Sequence, residues 1–298
     1  QQAYPAEALG FYLSGLGYQA EGAFDKSIAS FEQAIEKQPD TVEPLAQLVK
    51  SYLTLKQSDK ALKKLSDVIQ KQPKNFIAFN LKGGIYASDK KFTEAVDAYK
   101  QAIKLKPDWP NSYRNLAIVY LIQKNKEEAI KTLTTGIADT KGSMELISDL
   151  ASLYSRDGEH QKVLALYEDF YKQHPDSLLA ANNLASYISD FSDDKASLER
   201  AAKLAEPLAK TNNPEMLDTV AWIAYKQGDY QQAQTHLVKA LELSPNSPVS
   251  AYHLGMVYFK QGDKVKAREY LEKAVNSKVE FSGLAEAKET LKSISESK

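Results

Sequence analysis

The 298-residue sequence contains no cysteine. This removes a disulfide framework, a Cys-ligated zinc site and a thiol nucleophile, and leaves the compartment open. Histidine is scarce as well, at four residues. His160, His174, His236 and His253 are scattered without metal-ligand spacing, so neither a metal nor a cofactor is expected. Long apolar runs are missing. The longest, 116–122, covers seven residues, against the roughly 20 that cross a bilayer, and no transmembrane segment is expected. An excess of one charge is also missing. The 38 basic and 39 acidic side chains leave a net charge of −1, whereas a nucleic-acid binder needs a clear basic surplus to neutralise phosphates. No Walker loop, GxGxxG or GxSxG occurs, so the chain reads as a non-enzyme. No secretory leader is visible. The opening Gln1-Gln2, without Met, fits a leader or anchor that has been removed or is not included in this sequence.

What the sequence does have is a ruler. Tyr18, Tyr52, Tyr86, Tyr120 and Tyr154 follow one another at 34 residues, a coincidence expected by chance about once in 10⁵ trials. Pro39, Pro73, Pro107 and Pro175 keep the same period, with Lys141 in the vacant slot. Ala61, Ala95 and Ala129 form another column, resumed by Ala233 and Ala267. Ala34, Ala102, Ala240 and Ala274 form a third.

Within one period the pattern is helical twice over. Phe79, Gly83 and Tyr86 share one helix face at i, i+4 and i+7. Asp89-Lys90-Lys91 interrupts, and Phe92, Ala95, Val96, Tyr99, Ala102 and Ile103 form a second apolar series. Pro107 ends it, because proline cannot continue a helix interior. Each period therefore predicts helix A, a short turn, helix B and a proline-marked turn. Gly22, Gly158, Gly228 and Gly262 fall in the A–B turn, where a positive φ is needed.

A small residue such as Gly83 or Ala117, then Tyr, a turn Gly, Ala95 or Ala129, a large Tyr99 or Leu133, a second Ala and a Pro together resemble the tetratricopeptide repeat. The resemblance implies an all-α, right-handed α-solenoid of about eight helix-turn-helix repeats: 8–41, 42–75, 76–109, 110–143, 144–177, 178–213, 214–247 and 248–281. The array, taken as residues 1–281, would be closed by a capping helix over 282–298, since the last apolar face needs a polar-backed cover. The sixth repeat is 36 long, and its polar stretch 189–197 predicts a lengthened A–B loop with no clear Ala at the usual place.

The resemblance further implies a concave wall of A helices that receives an extended partner. The residues of this wall read Asn80, Arg114 and Asn182 in the middle repeats. In the last two they become Asp218, Trp222, Tyr225, Tyr252, Met256 and Phe259. Two readings stand for the aromatics: a wall that anchors a partner, as Trp and Tyr do at hot spots, or packing between neighbouring A helices. Arg114, Asn115, Asn182 and Asn183 are only fragments of the clamp by which some family members hold a chaperone's terminal carboxylate, so that clamp is expected to be absent.

Charge is uneven: twelve lysines against five acids in 56–106, and fifteen acids against eight bases in 139–218. Solvated outer faces explain this most simply, and head-to-tail self-association is the sharper reading. Residues 218–230, 251–258 and 280–288 are similar to the ends of bacterial tetratricopeptide proteins that accompany exopolysaccharide export and exosortase-type sorting. That similarity implies a bacterial envelope setting, in the periplasm or at a membrane. The expected function is a non-catalytic scaffold for a protein or peptide. The alternatives are a carbohydrate-binding module whose aromatics stack on sugar rings, and a self-assembling scaffold.

Overall fold

In a computed structural model, residues 6–39 and 41–296 are described. Residues 1–5 of the expected array, residue 40 of its first repeat and residues 297 and 298 of the cap lie outside them. The described residues form α-helices in hairpins, without a β-strand. The chain divides into two compact units within one helix, between Leu153 and Tyr154.

Unit 1 contains α1 (Ala6–Ala20), α2 (Phe24–Lys37), α3 (Val42–Thr54), α4 (Ser58–Lys71), α5 (Phe76–Ser88), α6 (Phe92–Leu105), α7 (Pro110–Ile122) and α8 (Lys126–Asp139). Most of α9 (Met144–Arg156) also belongs to it. Odd-numbered helices are the A helices and even-numbered ones the B helices. α5 packs on its partner α6 and on the neighbouring A helices α3 and α7. Small residues set the approach. A Cβ at Gly83 would fall 2.8 Å from the Tyr99 ring, so the bulk of one helix occupies the gap left by the other.

The tyrosine column has a backbone role. The carbonyls of Tyr18, Tyr52, Tyr86 and Tyr120 accept from the N–H groups of Ala23, Gln57, Lys91 and Asn125, each at 2.8 Å. These bonds close the A–B turn as a Schellman motif. The residue that the motif holds at positive φ is Gly22 (75°), Lys56 (57°), Lys90 (60°) and Lys124 (59°). Three of the four turns in unit 1 thus force a lysine into the left-handed region.

Unit 2 contains α10 (His160–Gln173), α11 (Leu178–Phe191), α12 (Lys195–Ala205), a 3₁₀ turn at Glu206–Lys210, α13 (Pro214–Lys226), α14 (Tyr230–Leu243), α15 (Pro248–Lys260), α16 (Lys264–Asn276) and α17 (Leu284–Glu296). Its turn positions are glycines: Gly158 (72°), Gly228 (85°) and Gly262 (83°). Side-chain N-caps at Ser177, Asp194, Asn213, Asp229, Ser247 and Asp263 hold the starts of α11 to α16.

The sixth repeat corrects the expected long loop. Only residues 192–194 separate α11 from α12. The extra length goes into one more residue of α11 and the 3₁₀ turn after α12. Counted from the first helical residue, Leu198 stands where α6 has Ala95, and Ala202 stands where α6 has Tyr99. Large and small have changed places relative to α6. α17 buries Ala287 and Ile294 in a core shared with α15 and α16, as a cap does.

Candidate functional site

A helices one repeat apart meet through residues 32 to 35 positions apart, which fixes what their inner faces can offer. In unit 1, Ser112 Oγ and Asn115 Nδ2 both donate to Asn80 Oδ1, at 3.3 and 3.2 Å. Arg114 donates to both carboxylate oxygens of Asp149, at 2.6 and 3.2 Å. Asn80 is buried, and Arg114 is engaged in this bidentate pair, which raises its pKa through the hydrogen bond to Asp149. These two expected partner contacts hold neighbouring helices together. Open apolar side chains on the same helices are Ile118 and Ile122, both about half exposed.

In unit 2, Asn182 is buried beside Asn183, to whose Oδ1 it donates at 3.4 Å. Trp222 is stacked on Tyr225, with centroids 4.6 Å apart and planes at 6°, and on His253, at 3.9 Å and 18°. It is 8% exposed, Tyr252 2% and Met256 3%. The Tyr252 hydroxyl donates to Glu286 Oε2 of α17 at 2.6 Å, and the Thr290 hydroxyl reaches Met256 Sδ at 3.7 Å. Trp222, Tyr252 and Met256 are buried and pack between successive A helices and the cap. Tyr225 and Phe259 are half-buried against the same cluster. Burial first, then the nearby Glu286 charge, pushes the Tyr225 phenol up to about 12. Burial and the bond to Glu286 push that of Tyr252 up further.

The packing leaves a cavity of about 240 Å³ lined from three successive A helices and the turn before α17. α11 supplies Ser186, Ser189 and Asp190. α13 supplies Asp218, Thr219, Trp222 and Lys226. Tyr252 and His253 come from α15, and Gly283 and Glu286 close the far side. Asp218 Oδ2 pairs with His253 Nδ1 at 2.8 Å, with the imidazole about nine-tenths buried. The other oxygen, Asp218 Oδ1, is buried without a hydrogen-bond partner in the protein. Lys226 is neutralised by Asp193 at 2.7 Å. Crowding by protein raises the pKa of Asp190, an effect that His253 and Lys226 oppose and Asp218 reinforces. Asp190 nevertheless keeps an exposed surface at the rim, and solvent screening there limits the shift. A larger depression, of about 770 Å³, lies between α14 and α16. Its walls, including Val238, Leu241 and Tyr270, are mostly apolar, so it converges less chemistry.

Of the nine expected residues, the structure brings Asp218, Trp222 and Tyr252 to this cavity. The sequence pattern gave His253 no role beyond the absence of metal-ligand spacing, and did not single out Asp190, Lys226 and Glu286. A signal for each was present. Asp190 and Lys226 occupy the same place on their helices, and Glu286 follows Tyr252 by one 34-residue period. Among the described residues, no group of three or more His, Asp or Glu could hold a metal ion, and no helix is long and apolar enough to cross a membrane.

Comparisons with known proteins agree with the repeat. Family models described as "TPR repeat" and "Tetratricopeptide repeat" match residues 83–124 and 224–288. The TPR repeat-containing protein PA4667 of Pseudomonas aeruginosa is 30% identical over 125 residues, 39% of this chain and 20% of that protein. The BBSome complex member BBS4 homolog of Drosophila melanogaster is 20% identical over 219 residues, 71% of this chain and 44% of that protein. The human protein O-mannosyl-transferase TMTC1 is 24% identical over 170 residues, 55% of this chain and 19% of that protein. The chain thus spans less than half the length of these relatives. The crystal structure of the APC/C hetero-tetramer Cut9–Hcn1 has a chain that superposes with a TM-score of 0.54 at 17% identity. It covers 91% of this chain and 52% of its own length, a likeness of fold. Such a fold is typically a scaffold without catalysis. The 34-residue ruler, the Schellman-closed hairpins and the models matched over residues 83–124 and 224–288 show that the chain carries tetratricopeptide repeats in each unit.

Proposed function

We propose that the chain is a non-catalytic scaffold that holds an extended peptide or a partner protein along the concave groove implied by its repeats. Its densest contact would lie at the α11–α13–α15 cavity. The observation that carries this reading is the cavity itself, where polar groups from three successive A helices converge on one solvent-open space. An Asp–His pair also occurs in hydrolytic triads, but no hydroxyl among the described residues hydrogen-bonds His253 Nε2, so the pair lacks a nucleophile. Stacking on sugar rings is disfavoured, because Trp222 is already stacked on His253 and Tyr225 and Tyr252 is buried. The envelope and export setting rests on the sequence similarity of the chain's ending alone.

A photo-crosslinking amino acid at Ser186, in the cavity, and at exposed Thr235, on the B helix α14, tests the reading in native lysate. A protein labelled from Ser186 and not from Thr235 supports it. Equal labelling from both sites, or none from Ser186, overturns it.

A further inference from the structure

The cavity of unit 2 has a charge and a donor–acceptor balance that select what can enter it. We infer that it is a receptor for a basic side chain, a guanidinium or ammonium group presented by an extended partner peptide. The inference rests on the scaffold reading and gives it a specificity.

Three carboxylates line the space (Asp190, Asp218 and Glu286), against one ammonium, Lys226. That ammonium is already paired with Asp193 outside the lining, and it sits 5.7 Å from the Trp222 ring centroid. If His253 is neutral the carboxylates outnumber the cations three to one, and if it is protonated, three to two. The lining is electronegative in either state, and low-dielectric walls focus such a field.

The acceptors are also unspent. Glu286 accepts from Tyr252 through Oε2, which leaves Oε1 for another donor. The buried Asp218 Oδ1 has no partner in the protein, although only a shift of the cavity wall would expose it. His253 is the most telling group. It is about nine-tenths buried, lines the cavity and uses only Nδ1 within the protein. Bonding to a carboxylate places the proton of a neutral imidazole on Nδ1, which leaves Nε2 an acceptor without a hydrogen-bond donor among the described residues. A planar donor fork, with several N–H groups in one plane, matches two carboxylates and an imidazole acceptor better than a neutral or anionic group does. The volume of about 240 Å³ holds a side-chain head group and not a folded surface. Its polarity is opposite to that of a site for a terminal carboxylate, which would need cations facing inward.

The test uses the full chain with Trp109→Phe, so that the single indole N–H resonance reports Trp222. The probes are the blocked tripeptides acetyl-Gly-Arg-Gly-amide, its isosteric neutral citrulline analogue, and the Lys and Glu versions. Saturable shifts of the Trp222 indole by the arginine probe are expected, with citrulline at least about tenfold weaker and glutamate inactive. A lysine probe stronger than arginine also supports the cation receptor and assigns it to an ammonium. Asp190→Asn, at the exposed rim, and Glu286→Gln, which keeps an acceptor for Tyr252, should each weaken the arginine probe about five- to tenfold with far-UV helicity unchanged. Identical arginine and citrulline curves, unchanged binding in both variants, or no shift up to about 50 mM probe would overturn the inference and leave the cavity a structural polar core. A chain that binds the arginine probe but crosslinks to no protein would sink the scaffold reading alone.

Discussion

Unit 1 and unit 2 are built from the same repeat but held by different means. In unit 2, every helix from α11 to α16 begins on a side-chain N-cap. From α2 to α8, α5 and α8 do so through Asn75 and Asn125, whereas α2, α3, α4, α6 and α7 start without one, as does α10 at the edge of unit 2. A cap contributes about 1 kcal/mol. The A–B turns differ in the same direction: lysine at positive φ three times in unit 1, glycine at all three such turns in unit 2. Unit 2 adds the Tyr225–Trp222–His253 stack and the α17 cover. The comparison teaches that the period sets the hairpin, while the local chemistry at caps and turns sets how firmly each hairpin is held. Hydrogen exchange should therefore find the slowest amides in α13 and α15.

The largest way to break the difference is Trp222→Ala. It should remove about 3–5 kcal/mol and raise exchange throughout 214–296 while α1–α8 keep their protection. Loss confined to α13 would show that the stack does not bind the repeats into one cooperative block. Next is Gly283→Ala. Gly283 has a φ of 96°, and an added Cβ would overlap the Tyr252 ring. A loss of about 2–3 kcal/mol and undocking of α17 are expected, read as faster exchange at Ala287 and Ile294. The opposite manoeuvre narrows the gap from the other side. Lys56→Gly, Lys90→Gly and Lys124→Gly together should stabilise unit 1 by about 2 kcal/mol, seen as a higher denaturant midpoint for its transition.

A smaller gain should come from Lys91→Asp. Lys91 already has the backbone of a working cap, φ −85° and ψ 71°, against −84° and 76° at the capping Asp229. About 1 kcal/mol is expected, and no gain would mean that Asp at this column is solvated instead. The smallest effect concerns acid. Burial, then Lys239, holds the pKa of His236 below its ordinary value. The unfolded chain then binds the proton first, so this contribution is fully present above about pH 6.5 and fades as pH falls through the lowered folded value. His236→Gln should flatten the stability of unit 2 across that window. An unchanged pH profile would assign the acid response elsewhere.

Much of the fold was legible because a 34-residue period leaves one residue per repeat in each structural role. Tyr86, Gly83 and Ala95 could be assigned to faces before any coordinate was known, because periodicity alone puts them there. The sixth repeat was misread because a polar stretch such as 189–197 suits a loop or the solvent side of a helix equally well, and the capping Asp194 decided between them. The candidate site was harder. An aromatic on helix A can face a guest or the next helix, and the two directions share one sequence pattern. Trp222 and Tyr252 proved to face neighbours, and the polar groups they leave uncovered form the cavity.

The sequence by itself determined the hairpin, its length and the need for a terminal cover, since these follow from local periodicity, proline stops and glycine at positive φ. Only the tertiary structure decided that His253 meets Asp218, that Tyr252 meets Glu286, and that a negatively charged space remains among them. Those pairs are 34 or 35 residues apart, and their meeting depends on how closely successive A helices pack, a distance set by side-chain volumes on both partners at once.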